Sequence, residues 1–375
     1  MGRVKLGDIA RECRLTYTGN KSGIPIIGLE HLTPGDIVLH SWDIDTDNTF
    51  NKYFKKGQVL LGRRRVYLKK AAVAPFDGIC SGDITVIEAI PERLQPELLP
   101  FIIQNDRFFE FAIVGSAGSL SPRVKWEYLK DYEIELPDLH KQSELVELLK
   151  SANELKHAYQ EMLTATDEMV KSQFIEMFGD IKNNSKSIPV TTVGELFEVG
   201  SSKRVFEKDW TSSGVPFYRA REIVKLAKDG YVDNELFITE SMYEEYAAKY
   251  GIPVPGDIMV TGVGTLGVCY LVKKGDKFYY KDGNTLCFHS LGKIDSRFVI
   301  ECFKMPCIIE QIQGTADFTT VGTYTIEKAR RTKIFLPSKE EQTSFLTVVY
   351  QADKSKFELK QAIEKIDKAM QALMQ

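Results

Sequence analysis

Apolar positions along this chain fall into two long periodic stretches, one in each half. In the first, Leu145, Leu149, Ala152, Lys156, Tyr159, Leu163, Thr166, Val170 and Gln173 are spaced alternately by four and three residues. In the second, Phe345, Val349, Ala352, Lys356, Leu359, Ile363, Ile366, Met370 and Leu373 keep the same rhythm, and neither stretch contains Gly or Pro. A seam of period 3.5 over four heptads predicts two long helices that pair as a coiled coil. Two ordinary amphipathic helices, each packed on its own domain, are the competing reading. Matched length and phase, with a Lys at the fourth seam position of both, favour pairing. Pro137 and Pro337 stand just before these helices, where a missing N–H costs little. Gly179 stops the first helix, and the polar segment 180–187 reads as a linker.

Between the helices, short alternating or apolar runs are punctuated by Gly, Pro, Asn and Asp. Val59-Leu60-Leu61, Ile84-Thr85-Val86-Ile87, Asp257-Ile258-Met259-Val260-Thr261 and Val268-Cys269-Tyr270-Leu271-Val272 read as strands. Helical pieces interrupt them around 97–113 and 240–249. The fold class expected is α+β: two pseudo-repeated domains at 1–137 and 190–337, separated by two long antiparallel coiled-coil helices. The helices are placed at 138–179 and 338–375, with a linker at 180–189.

The repeat is legible directly. Ile134, Leu136, Pro137 and Gln142 recur as Ile334, Leu336, Pro337 and Gln342, an offset of 200. Gly23-Ile24-Pro25-Ile26 resembles Gly214-Val215-Pro216-Phe217, and Lys5-Leu6-Gly7-Asp8-Ile9 resembles Thr192-Val193-Gly194-Glu195-Leu196. The changing offsets, 191 and 187, mean loop insertions between shared core pieces.

Composition narrows the class. With 375 residues, 43% hydrophobic and 27% charged, the chain can build two or three sizeable cores. No apolar run reaches the roughly 20 residues of a membrane helix. The first residues lack the apolar stretch of a secretory signal. Six scattered cysteines without a CxxC pair read as reduced thiols, and a cytoplasmic location is expected. Net charge is −3, yet between Phe54 and Asp77 seven basic residues face one acid. A basic patch on a mildly acidic chain suits a protein whose other surfaces meet other partners.

Catalytic signatures are missing, so no cofactor and no metal are expected. Gly262-x-Gly264-x-x-Gly267 matches a dinucleotide fingerprint, but a β-branched run follows where a helix is required, so a turn between strands is expected. Pro137-Asp138 with Glu154-Leu155-Lys156 mimics a nuclease motif. Its parts would lie more than roughly 20 Å apart along one helix at about 1.5 Å per residue. The five histidines show no metal-ligand spacing, and neither GxxxxGK[ST] nor Pro-Pro occurs. The inventory is that of a binding protein.

The stretch Phe54–Lys70, continuing to Phe76-Asp77-Gly78-Ile79-Cys80-Ser81-Gly82-Asp83, points to a family. So do Leu120-Ser121-Pro122-Arg123-Val124-Lys125-Trp126, the two LP-x4-Q helices, Phe174-Ile175-Glu176-Met177-Phe178-Gly179 and Gly256–Gly267. Together they resemble the specificity subunits of type I restriction–modification systems. That resemblance implies two target-recognition domains, each reading one half of a split site in double-stranded DNA. It also implies a helix pair that docks two methyltransferase (M) subunits, with restriction (R) subunits joining outside. The second copy departs from the pattern at Lys328-Ala329-Arg330-Arg331, where a Leu-containing turn is usual.

Arg and Lys neutralise phosphates, and Arg can also grip guanine O6 and N7 with two hydrogen bonds. Candidate DNA contacts in the first domain are Arg63, Arg64, Arg65, Tyr67, Lys69 and Lys70, with Ser116, Ser119, Ser121, Arg123 and Lys125 on a loop. If the basic run is a strand, Arg63, Arg65 and Tyr67 share a face that Arg64 and Lys69 do not. Candidates in the second domain are Lys203, Arg204, Arg219, Arg221, Thr261, Thr265, Thr319 and Thr320. Two other readings compete with DNA recognition. A stand-alone coiled-coil adaptor that binds protein or nucleic acid would lack restriction partners, and a complete nuclease or methyltransferase would need the absent motifs.

Overall fold

The computed structural model describes residues 2–314 and 322–374. The chain divides into two compact units, Met1–Met162 with Glu358–Gln375, and Leu163–Phe357.

Strands of the first unit are β1 (Gly2–Lys5), β2 (Ala10–Cys13), β3 (Pro25–Ile27), β4 (Asp43–Ile44), β5 (Lys52–Phe54), β6 (Val59–Gly62), β7 (Ala71–Val73), β8 (Gly78–Cys80), β9 (Ile84–Ala89) and β10 (Glu133–Leu136). Those of the second are β11 (Val190–Thr192), β12 (Phe197–Gly200), β13 (Val215–Tyr218), β14 (Phe237–Ile238), β15 (Ile258–Thr261), β16 (Cys269–Leu271), β17 (Tyr279–Tyr280), β18 (Thr285–Ser290) and β19 (Lys333–Phe335).

The two lists pair in the same way. An antiparallel pair closes each unit, β1 with β10 and β11 with β19. A four-stranded sheet runs β2-β9-β6-β7 in the first and β12-β18-β15-β16 in the second. A smaller sheet runs β4-β3-β8-β5 or β14-β13-β17, with a parallel pair in each, β3 beside β8 and β13 beside β17. Among the described residues only β5 lacks a counterpart. The sequence pattern explains the burial. Central β9 reads Ile-Thr-Val-Ile-Glu-Ala and is almost wholly buried, as a strand covered on both faces must be. β10 reads Glu-Ile-Glu-Leu and alternates exposed and buried.

Residues shared by the two halves do the same work. Gln142 donates from Nε2 to the Pro137 carbonyl at 3.0 Å and accepts from the Gln95 amide at 2.9 Å. Gln342 does this with Pro337 at 2.9 Å and Asp295 at 3.0 Å. Each Gln therefore satisfies buried backbone groups where strand turns into helix. Gly7 and Gly194 sit where an added Cβ would lie 3.0 Å from the Lys130 side chain and 3.1 Å from the Arg330 carbonyl, so both positions are equally tight. The departure at Lys328–Arg331 is accommodated: Ala329 is fully buried, as is Leu129 200 positions earlier, each on a short helix before the closing strand.

The first long helix spans Leu139–Phe178 and the second Lys339–Leu373. Gly179, at φ +78°, ends the first in the left-handed region that favours Gly. Within the first unit, Val146 and Leu149 join the core, and Leu145, Met370 and Met374 pack against it. Within the second, Val170, Phe174 and Phe178 share a core with Phe345, Leu346, Val349 and Ala352. The start of one helix thus lies beside the end of the other, which makes the pair antiparallel. Ala152, Tyr159, Leu163, Leu359, Ile363, Ile366 and Met370 are half-buried. The seam lysines explain themselves: Lys156 Nζ lies 2.7 Å from Asp367, and Lys356 Nζ 2.9 Å from Asp167, again 200 positions apart. Burial opposes the charge of Lys356, but Asp167 and Asp353 outweigh it and raise its pKa. Such polar seam pairs fix register.

The helical stretch at 97–113 is broken into Leu99–Ile103 and Asp106–Val114, because the Asn105 side chain caps the second helix by accepting from the Arg107 amide.

Candidate nucleic-acid interface

The basic run after β6 is not a strand. Residues Val66–Leu68 form a 3₁₀ turn, flanked by Arg65 and Lys69, both at φ +52°. Non-Gly residues in that region carry strain of about 1 kcal/mol or more and occur at functional sites. The alternation proposed for Arg63, Arg65 and Tyr67 therefore fails, because a 3₁₀ turn places side chains every 120°. The backbone is held from across the chain: the Arg65 amide donates to the Pro122 carbonyl at 2.8 Å, and the Val124 amide to the Arg63 carbonyl at 3.0 Å.

These bonds bring the two candidate segments of the first domain together. Arg64 Nε donates to Ser121 Oγ at 2.6 Å, and Arg123 grips Asp83 with Nε at 2.7 Å and a second nitrogen at 3.2 Å. The Arg123 hydrogen bonds hold the Asp83 carboxyl below its ordinary range despite partial burial. Beside this clamp, Arg63 and Lys125 line a cleft of about 620 Å³ with Arg14, Lys52, Trp126 and acidic Glu12 and Glu127. Arg14 is tied to both acids at 2.7 Å. Arg63 Nε is buried without a hydrogen-bond partner among the described residues, which a bound acceptor would cure. Tyr67 and Arg65 are exposed, and Ser119 lies on the exposed loop.

Three other candidates of the first domain serve the protein itself. Lys69 pairs with Asp106, Lys70 donates to the Leu29 carbonyl at 2.7 Å, and Ser116 bonds the Ala112 carbonyl at 2.9 Å. In the second unit Thr261 is fully buried, its hydroxyl bonded to the Thr265 carbonyl and to the Val268 amide. It is a turn residue rather than a DNA contact, while Thr265 is exposed at the tip. Arg219 and Arg221 both clamp Glu222, whose carboxyl stays below its ordinary range because these bonds outweigh burial. Arg204 lies 3.1 Å from Asp282, and Lys203 sits over the Tyr250 ring at 5.6 Å. Thr319 and Thr320 lie outside the described residues.

Sequence reasoning missed Asp83, the hub of the arginine clamp, and Arg14 and Lys52 in the cleft. Asp83 is inside the motif-bearing stretch, but one acid after a basic run does not announce which arginines it will hold.

Comparison with known proteins places this geometry. The whole chain superposes on a chain of a solved type I R-M system with a TM-score of 0.57 at 16% identity, covering 96% of that chain. It also matches the type I restriction–modification S subunit of M. genitalium, with a TM-score of 0.50, 14% identity and 94% of that chain covered. The fold is shared across the whole length of the chain. Residues 2–164 match the model of the type I restriction modification DNA specificity domain. Among curated relatives, a protein of Haemophilus influenzae named as a putative type I restriction enzyme specificity subunit is 25% identical over 69% of this chain. The EcoDI specificity subunit of Escherichia coli is 24% identical over 36%. The chain spans 64% and 27% of the lengths of these relatives.

Proposed function

We propose that this chain is the DNA specificity subunit of a type I restriction–modification complex, with no catalytic step of its own. Each unit reads one half of a split site in double-stranded DNA. The first does so with Arg63, Arg64, Arg65, Arg123 and Lys125, and the second with Lys203, Arg204, Arg219, Arg221 and Thr265. The observation that carries this reading is the duplicated scaffold. A DNA specificity domain matched at residues 2–164 has a second copy with the same strand order, and each copy is rooted in the same antiparallel helix pair.

The helices supply a length scale. At 1.5 Å per residue a 40-residue helix is about 60 Å long, against about 34 Å per turn of DNA. That span suits two half-sites separated by a nonspecific spacer. Two M subunits docked on the pair would add methyl groups to adenines, and R subunits would join outside them. The setting expected is the cytoplasm, and no described helix is long and apolar enough to cross a membrane.

The test is to express the chain with its methyltransferase partner and map adenine methylation across a genome. One bipartite sequence should be modified, and a seven-residue insertion in both long helices should change the spacer while both half-sites persist. A change of half-site sequence at constant spacer sinks the reading.

A further inference from the structure

The first unit also assembles three side chains that the DNA-facing cleft does not use. Asp36 and His40 lie on the segment between β3 and β4, and His157 stands on the first long helix. His40 Nε2 is 2.8 Å from one carboxylate oxygen of Asp36, and His157 Nε2 is 3.3 Å from the other. The two imidazole rings are 5.8 Å apart. All three ligand atoms lie within 4.8 Å of one another. His157 Nε2 is buried and makes no hydrogen bond, since its approach to Asp36 is not aligned as one.

We propose that Asp36, His40 and His157 form a binding site for a divalent transition metal ion of the zinc class, which clamps the segment carrying Asp36 onto the first long helix. Two imidazole nitrogens and one carboxylate are a donor set that zinc takes at about 2.0–2.2 Å, and donors on one tetrahedral ion stand roughly 3.4 Å apart. The observed separations approach that spacing. His40 is half-exposed and can adjust to complete the site.

The carboxylate is already oriented for this role. Asp36 accepts from the Val38 amide at 2.8 Å, and its carbonyl accepts from Gln104 Nε2 at 3.1 Å. Next to it, the Ile37 carbonyl accepts from the Val73 amide at 2.8 Å, and Lys156 Nζ reaches the Gly35 carbonyl at 3.3 Å. Such outer contacts are what hold a ligand in place. The histidines show no ligand spacing in sequence because they are 117 positions apart; the fold alone brings them together.

A second cluster, Asp257 with Cys287 and His289, does not qualify. Its carboxylate takes two backbone amides, from Val254 at 2.9 Å and Ser290 at 3.0 Å, besides His289 at 2.7 Å, where Asp36 takes one amide. Burial drives the Cys287 thiol well above its ordinary pKa, so no thiolate is on offer.

This site stands independently of DNA recognition, and its test uses the full chain alone. The protein is stripped with chelator and titrated with zinc chloride by calorimetry at neutral pH. One zinc should bind per chain and raise the melting temperature. His40→Ala and His157→Ala should each weaken binding at least about tenfold. His140→Ala, on the exposed face of the same helix, should leave it unchanged. If His157→Ala fails to fold, half-exposed His40 decides the matter. Absence of saturable zinc binding, or unchanged affinity in His40→Ala, overturns the proposal and leaves the cluster an ordinary Asp–His ion cluster.

Discussion

The link between β6 and β7 in the first unit and the link between β15 and β16 in the second occupy one place in two copies of a scaffold. Arg63 donates its amide to Asp83 and accepts from Val124, while Gly262 donates to Asn284 and accepts from Tyr324. The backbone bonds are the same, yet one link is rich in Arg and Lys and the other in Gly. The difference teaches that sheet order and closing strands are shared, while side chains on the exposed links are free to diverge. Divergence is cheap there because the ladder bonds depend on main chain, and beyond Val66 and Leu266 the links add little to the cores. The units also differ in how they grip the helices. The second uses Phe174, Phe178 and Phe345, packed against Phe298 and Phe335; the first uses smaller aliphatic groups.

The largest test of that contrast is at the helix roots. Phe345→Ala should cost about 3–5 kcal/mol in urea unfolding, because a fully buried ring leaves a cavity. Leu145→Ala, its half-buried counterpart, should cost distinctly less. Equal losses would mean that the two roots are built alike.

Next come the links themselves. Arg63→Ala should lose about 1–3 kcal/mol of discrimination at one half-site and leave the other unchanged, as measured by competition with singly mismatched duplexes. Lys125→Ala should weaken binding evenly across sequences and reduce its salt dependence. Loss at both half-sites from Arg63→Ala would end the idea of separate readers.

A smaller effect is expected at the seam. Lys156→Ala should destabilise by about 1–2 kcal/mol through loss of a charged hydrogen bond. The exchange Lys156→Asp with Asp367→Lys should recover most of it, and Lys356 with Asp167 should behave alike. If the exchange recovers nothing, the pairs do not set register.

The smallest concerns pH, at a pair found in the second unit. His289 is raised above its ordinary 6.5 by its hydrogen bond to Asp257, against burial. Burial raises Asp257, but His289 and two backbone amides outweigh it and bring its carboxyl below 3.8. The histidine's contribution is full below pH 6.5 and fades as pH rises through its folded value. The carboxylate's is present above pH 3.8 and fades as pH falls. His289→Gln should therefore flatten the pH dependence of melting above pH 6.5. An unchanged profile would show that the pair contributes nothing there.

Much was legible beforehand because it is local or repeated. The heptad spacing marked both long helices, and the recurrent LP-x4-Q marked the roots where Gln142 and Gln342 satisfy the same backbone groups. The Gly262–Gly267 run was readable as a turn from the strand-like residues after it. Other features were not. Nothing local says that Arg65 and Lys69 adopt left-handed backbone, since the bond holding Arg65 comes from Pro122, 57 positions away. Thr261 looked like a contact because a hydroxyl beside a glycine turn has no visible partner until the turn closes.

By itself, then, the sequence determined the α+β class, the duplication and the paired helices, because periodicity and offset repeats record which faces must be apolar. Only the tertiary structure decided that Asp83 gathers Arg64 and Arg123, that Lys156 meets Asp367, and that Asp36, His40 and His157 share one corner. Those are meetings of single polar groups from distant positions. Their partners are chosen by how the cores pack, a choice that leaves no period in the chain.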